Sequence, residues 1–296
     1  MTETAMITIA GRPNVGKSTL TNTLVGEKIT IVSPKPQTTR TRILAVASRG
    51  DTQFVLIDTP GFHRARTKLG DYMDNVVRQS VADVDAVVLM VEPVPTVGPQ
   101  EQALLRRLRE TGVPAVLAVN KIDTLEDKKA LLPVISAYMQ EYEFRAVVPL
   151  CARTGEGTEE LLAELKRFAA EGPWLFPDDQ ISDMPEKQIC AELVREKLLL
   201  CLDHEVPHGT AVAATRFEEN ERGIIELDVT IYCEKQSHKG IIIGKKGAML
   251  RHIGELARRD IEQFMGAKVY LQTWVKVKEN WRDRDALLRN FGYTDG

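Results

Sequence analysis

The stretch that decides the fold of the N-terminal half is Met6-Ile-Thr-Ile-Ala-Gly11-Arg12-Pro13-Asn14-Val15-Gly16-Lys17-Ser18-Thr19. A short apolar run of strand character leads into G-x-x-x-x-G-K-S, and a helical pattern follows. Glycines let backbone N–H groups converge on phosphate oxygens at the positive end of the helix. Lys17 adds a full charge between β- and γ-phosphates, and Ser18 offers a hydroxyl to Mg²⁺. A chance glycine loop is the bland alternative, and it does not account for the strand-loop-helix setting. Residues 11–19 are therefore expected to hold a nucleoside triphosphate.

Working outward, runs rich in Val, Ile and Leu recur at 54–57, 86–91, 115–119 and 146–149. Amphipathic stretches separate them, such as PQEQALLRRLRETG with its stripe of Leu104, Leu105 and Leu108. The alternation predicts an α/β domain over 1–170, a mostly parallel sheet with helices on both faces. Ligands of such domains bind beyond the C-terminal ends of strands. Two polar motifs stand at those ends. Asp58-Thr59-Pro60-Gly61 closes the run FVLI. Asp58 is expected to hold Mg²⁺ through a water and the Gly61 N–H to face the γ-phosphate; a plain β-turn is the alternative. Asn120-Lys121-Ile122-Asp123 closes AVLAV and resembles the guanine-recognition motif of GTPases. Asp123 can accept two hydrogen bonds from the guanine N1–H and N2–H₂ edge, a pair that adenine lacks. Asn120 is expected to brace the loop and contact N7, with Lys121 along the base. Cys151-Ala152-Arg153 resembles the S-A-K loop of GTPases, whose alanine N–H contacts guanine O6. The cysteine stands where a serine is usual, which puts bracing by a hydroxyl in doubt.

A switch segment is expected in Pro36-Gln37-Thr38-Thr39-Arg40, with a threonine that senses the γ-phosphate through Mg²⁺. Thr39 is favoured over Thr38; a simple polar loop is the alternative. The metal set is then Ser18, Thr39 and Asp58, and the catalytic set Lys17, Thr39, Gly61 and Asn14. Phe62 follows Gly61 where Ras-like enzymes carry a glutamine that orients the attacking water. Phenylalanine cannot do this, so slow intrinsic hydrolysis is expected. Resemblance to GTPases with G-x-P-N-x-G-K-S implies that Asn14 binds K⁺, which would supply charge; otherwise Asn14 only caps the loop.

Residues 171–185, EGPWLFPDDQISDMP, read as a linker. Residues 186–296 read as a smaller α+β domain in the order α-β-β-α-β. A long helix spans 186–204, strands run at 210–217 and 224–233, and IIIGKKGAML leads into a helix through Met265. KVYLQTWVKVK alternates as an edge strand does. Gly244-Lys245-Lys246-Gly247 in this arrangement resembles the G-x-x-G loop of a type II KH domain, which clamps a single-stranded nucleic-acid backbone. Over residues 235–259, seven basic side chains, among them Lys239, Arg251 and Arg258, face the single acid Glu255, a net of +6. Residues 186–296 as a whole balance at 18 basic and 18 acidic side chains, so the patch is local. A solvated helix face with a tight turn is the alternative. Ile241, Ile242 and Ile243 read as core. Trp274 and Trp281 read as packing rather than base-stacking residues, and Cys201, His204 and His208 as no metal site.

The whole chain has a net charge of −3 and announces no general affinity for nucleic acid. Four cysteines without a C-x-x-C pair fit a reduced, cytosolic compartment. No apolar stretch approaches the ~20 residues that span a bilayer, and the N-terminus reads as a strand rather than a targeting segment.

GRPNVGKS, PQTTR, DTPG, NKID and GKKG occur in the order found in Era GTPases, and EKITIVSPKPQTTRTRI and LQTWVKVK are also similar to that family. The resemblance covers nearly the whole chain. It implies binding of 16S ribosomal RNA, assistance to 30S subunit assembly and peripheral contact with the inner membrane face, alongside the Mg²⁺ and GTP hydrolysis expected from the motifs; a monomer is expected. A signalling GTPase whose second domain binds protein is the rival, as is a non-hydrolysing RNA chaperone.

Overall fold

The computed structural model describes residues 1–61, 67–81 and 83–293. The chain forms two compact units. The first contains Met1–Thr30, Thr39–Arg64 and Met73–Asp183; the second contains Ile31–Thr38, Ala65–Tyr72 and Met184–Gly296. Two short N-terminal stretches thus belong to the C-terminal body.

In the first unit β1 (Glu3–Gly11) leads to α1 (Lys17–Val25), followed by the hairpin β2 (Ile43–Arg49) and β3 (Thr52–Asp58). Then come α2 (Lys68–Gln79), whose residues 68–72 are counted with the second unit, β4 (Ala86–Val91), α3 (Pro99–Thr111), β5 (Ala115–Val119), α4 (Leu131–Glu141), β6 (Ala146–Pro149), α5 (Thr158–Lys166) and β7 (Ala170–Glu171). The strand order is β2-β3-β1-β4-β5-β6. Only β2 runs antiparallel along this path, and β7 pairs antiparallel with the start of β1. Every residue of β4 and β5 is buried, as strands covered on both faces must be. This order brings the C-terminal ends of β1, β3, β4 and β5 to one edge, where the motifs sit.

Residues 171–183 are no free tether. The Gln53 side chain accepts the backbone N–H groups of Leu175 and Phe176, both at 3.0 Å, and Ser182 forms a bridge with Ala45 on the edge strand β2. The stretch therefore covers a sheet edge that would otherwise stay open.

In the second unit α6 (Glu186–Cys201) precedes β8 (Thr210–Glu219), β9 (Ile225–Cys233), α7 (Gln236–Ile243), α8 (Ala248–Met265), β10 (Val269–Val277) and α9 (Asp285–Asn290). The sheet order is β10-β9-β8, antiparallel between β8 and β9 and parallel between β9 and β10. Leu227, Val229 and Ile231 of β9 pack with Leu193, Val194 and Leu198 of α6 and Ile253, Ala257 and Ile261 of α8. The order is α-β-β-α-α-β, one helix more than the sequence suggests. QSHKGIII winds into α7 although its isoleucines favour strands, and of the three isoleucines only Ile242 is buried. Ile241 is correspondingly half exposed, not core. The first helix ends at Cys201, three residues short of the expected His204. Trp281 is fully buried and its indole N–H donates to the Gly209 carbonyl at 2.9 Å, whereas Trp274 is exposed on β10.

Within this unit Ile31–Thr38 lies along α6. Val32 N–H donates to Glu196 Oε1 at 2.9 Å, and the fully buried Arg195 donates to the Thr38 carbonyl.

Candidate functional site

The phosphate loop leaves β1 at Gly11 and enters α1 at Lys17. Asn14 adopts a left-handed backbone, φ 64°, and so does Gly16, φ 107°. A Cβ at Gly16 would lie 2.3 Å from Asn120 Nδ2, so glycine is required both by conformation and by the close approach of the base loop. Lys17 Nζ donates to the carbonyls of Gly11 (3.1 Å) and Arg12 (2.9 Å), which folds the loop around the ammonium. Burial lowers the Lys17 pKa to about 8 against the pull of Asp58. Burial raises Asp58 to about 6, opposed by Lys17, Ser18, Thr59 and Thr39.

Three oxygens converge beside Lys17. Ser18 Oγ donates to Asp58 Oδ2 at 2.8 Å and lies 2.9 Å from Thr39 Oγ1. Thr38 turns away; its hydroxyl donates to the Lys35 carbonyl at 2.7 Å. Asp58 Oδ1 is buried with no hydrogen-bond partner. Hydroxyl and carboxylate oxygens with one acceptor left over suit a hard cation such as Mg²⁺. Thr59 is buried and donates to the Ile9 carbonyl at 3.0 Å, fixing Pro60-Gly61 beside the loop. A Cβ on Gly61 would stand 2.8 Å from the Pro13 Cα. Phe62 lies outside the described residues.

The base loop is tied to the same centre. Asn120 Nδ2 donates to the Val15 carbonyl at 2.7 Å, and Asn120 Oδ1 accepts the Ala152 N–H at 2.8 Å. Val15 and Ile122 are buried beneath these loops. Thr23 of α1 donates to the Ala152 carbonyl at 2.6 Å and also to Thr19 at 2.9 Å. Asp123 accepts from Cys151 Sγ at 3.1 Å and from Arg153 at 2.8 Å. The Cys151 hydrogen bond, ahead of Arg153, holds the Asp123 carboxyl below the usual carboxylate range. A thiol thus occupies the bracing position of the usual serine. Lys121 Nζ donates to the Asn14 carbonyl at 2.9 Å and pairs with Glu92. Arg12 pairs with Glu92 and Glu101. Neither glutamate carries a motif signal.

In the second unit Gly244 (φ 71°), Lys246 (φ 52°) and Gly247 (φ 79°) make a tight turn that leaves Lys245 and Lys246 exposed. A Cβ on Gly244 would meet Met249 Cβ at 2.7 Å, so α8 can start directly above it. Beside the turn opens a cleft of about 360 Å³, with Arg251, Glu255 and Arg258 on its α8 side. Its floor is Leu250, Gly254, Leu271 and Thr273. Arg258 pairs with Glu262 at 3.1 Å. Lys239, on α7, does not line the cleft. The floor residues escaped the sequence because only the pairing of β10 brings Leu271 and Thr273 under α8; their period-two spacing on β10 was the available signal.

Two family models match, a 50S ribosome-binding GTPase over residues 6–121 and a KH domain over residues 205–282. The chain is 46% identical over 98% of its length to GTPase Era of Ruminiclostridium cellulolyticum, covering 97% of that protein. It is 45% identical to GTPase Era of Clostridioides difficile over the full length of both. Among solved structures, Era of Aquifex aeolicus bound to GDP and aluminium fluoride superposes with a TM-score of 0.95 at 34% identity, over 99% of this chain and 100% of that one. An Era complex with MgGDPNP and nucleotides 1506–1542 of 16S ribosomal RNA also gives 0.95 at 34% identity, over 100% of both chains. This chain, with its nucleotide pocket and KH domain, belongs to the Era family of GTPases.

Proposed function

We propose that this GTPase binds a single-stranded segment of 16S ribosomal RNA in the cleft beside Gly244-Lys245-Lys246-Gly247 and assists assembly of the 30S subunit. The observation that carries the reading is the cleft itself. It has an apolar floor for bases and a turn with two free lysines for phosphates, in a segment of net +6. The related Era in complex with nucleotides 1506–1542 of 16S ribosomal RNA supports the same assignment.

In the nucleotide pocket, Asp123 accepts the guanine edge, the residue 11–19 backbone and Lys17 take the phosphates, and Ser18, Thr39 and Asp58 hold Mg²⁺. The ion, when bound, neutralises charge on the β- and γ-phosphates. Water attacks the γ-phosphorus, the bond to the β–γ bridging oxygen breaks, and GDP and phosphate leave. The Gly61 N–H faces the transferred group, and Asn14 would hold a K⁺ ion, which would supply positive charge there. Among the described residues no helix is long and apolar enough to cross a membrane; contact with the inner membrane face would be peripheral.

Fluorescence anisotropy with a short RNA of the 16S 3′ region, at several salt concentrations, tests the RNA assignment. Wild-type affinity is expected to fall with a slope of about −0.7 per neutralised phosphate. Lys245→Asp with Lys246→Asp is expected to abolish binding and leave GTP affinity unchanged. A double variant that binds as wild type does, with the same slope, removes the RNA function and moves a protein partner ahead.

A further inference from the structure

The first unit holds two glutamates that the motifs leave without a role. Glu92 follows β4, and Glu101 lies in the first turn of α3. Glu101 is 1% exposed, its Oε2 is buried with no hydrogen-bond partner, and its Oε1 lies 2.5 Å from Arg12 Nε. Arg12 Nη2 reaches Glu92 Oε2 at 3.1 Å, and Lys121 Nζ reaches the other oxygen of the same carboxylate. One carboxylate therefore joins a phosphate-loop cation to a base-loop cation. Burying Glu101 against a single guanidinium is a poor route to stability, because desolvation offsets most of the attraction. Such an arrangement is understandable where geometry matters more than stability.

The geometry at stake is visible in the backbone. Asn14 and Lys121 both adopt the left-handed region, φ 64° and 62°, which asparagine tolerates and which lysine adopts only at a cost. The Lys121 ammonium bonds the Asn14 carbonyl at 2.9 Å and so ties these two left-handed positions together. A free lysine head would sample many rotamers; Glu92 holds it in one.

We propose that Glu92 is a positioning residue for nucleotide retention. It holds Lys121 along the plane of the base and, through Arg12 backed by Glu101, keeps the phosphate loop in register with the base loop. The inference rests on reading Asn120–Asp123 as the guanine loop. Pre-organisation of this kind lowers the ordering cost of binding and is felt mainly in dissociation. Glu92 does not contact Ser18, Thr39 or Asp58, which face the reacting phosphate, so its effect on release is expected to exceed its effect on turnover at saturation.

The test is stopped-flow release of fluorescently labelled GDP from the full chain, alongside kcat at saturating GTP. Glu92→Gln keeps the shape and removes the charge. It is expected to speed release about tenfold, with kcat within about twofold of wild type. The double variant Glu92→Gln with Lys121→Gln is expected to release GDP more slowly than the product of the two single effects predicts, because Glu92 acts in part through that lysine and in part through Arg12. Release from Glu92→Gln at the wild-type rate, or full additivity in the double variant, overturns the proposal while leaving the base loop in place. Lys121→Gln that releases GDP as wild type does would instead remove the guanine-loop reading beneath it. Arg12→Lys keeps the charge and loses the fork, and is expected to speed release several-fold. It tests the same tie should Glu92→Gln fail to fold, and a wild-type rate there likewise overturns the proposal.

Discussion

The thiol of Cys151 lies 3.1 Å from Oδ1 of Asp123, with its proton directed at the carboxylate assigned to the guanine edge. A thiol is a weak donor, but the acceptor is ionised and the cysteine is fully buried. Cys151→Ala is therefore expected to weaken GDP binding by about tenfold, roughly the lower end for a hydrogen bond to a charged group. Cys151→Ser restores a stronger donor and is expected to bind GDP at least as well as wild type. Isothermal titration of the three proteins checks both; equal affinities throughout would mean that the thiol braces nothing.

Asp123→Asn replaces an acceptor pair by an amide that can donate. Preference is expected to pass from GTP to xanthosine triphosphate, whose base offers a carbonyl where guanine has its amino group. Sites built on such pairs discriminate by ~10⁴. A competition titration in which GTP keeps its advantage would take Asp123 out of base recognition.

Hydrolysis is expected to run faster in potassium than in sodium, with the difference lost when the Asn14 amide is removed. Asn14→Gly is the sharper variant. Glycine adopts the φ of 64° at no cost, so only the amide changes, whereas Asn14→Ala also strains the loop. Equal phosphate-release rates of wild type in the two salts would sink the cation assignment.

Arg195 is fully buried, ion-paired to Glu192 at 2.5 Å, and bonded to the Thr38 carbonyl. Arg195→Met leaves a carboxylate and a carbonyl without their donor. Breaking a buried pair costs about 3–5 kcal/mol; because Glu192 is 22% exposed, about 2–3 kcal/mol is expected. Urea denaturation followed by a probe in the second unit would show the lowered midpoint, and an unchanged midpoint would mean that Arg195 adds nothing to the hold of α6 on residues 31–38.

Much of this molecule was legible in its sequence because the chemistry there is local. In Gly11–Ser18 the glycines, lysine and serine assigned to the phosphates and the metal are contiguous, and a strand before and a helix after suffice to aim them. The same holds for Asp58–Gly61 and Asn120–Asp123, each at a strand end, and for Gly244–Gly247 opening α8. Strand-helix alternation was enough to give the five parallel strands of the first unit, but not the antiparallel β2 and β7, which have no helix of their own to mark them. Tertiary structure decided what depends on residues distant in sequence. The Cys151 thiol finds Asp123, and Glu92 finds Lys121 and Arg12, only because parallel pairing sets the ends of β1, β4, β5 and β6 side by side. The cleft floor exists only once β10 pairs with β9 and runs under α8. Residues 31–38 lie with the second unit because Arg195 and Glu196, more than 150 positions away, satisfy their backbone groups. Local motifs carry their geometry with them, whereas a contact across the fold is specified by strand register and buried polar pairing, which no window of sequence contains.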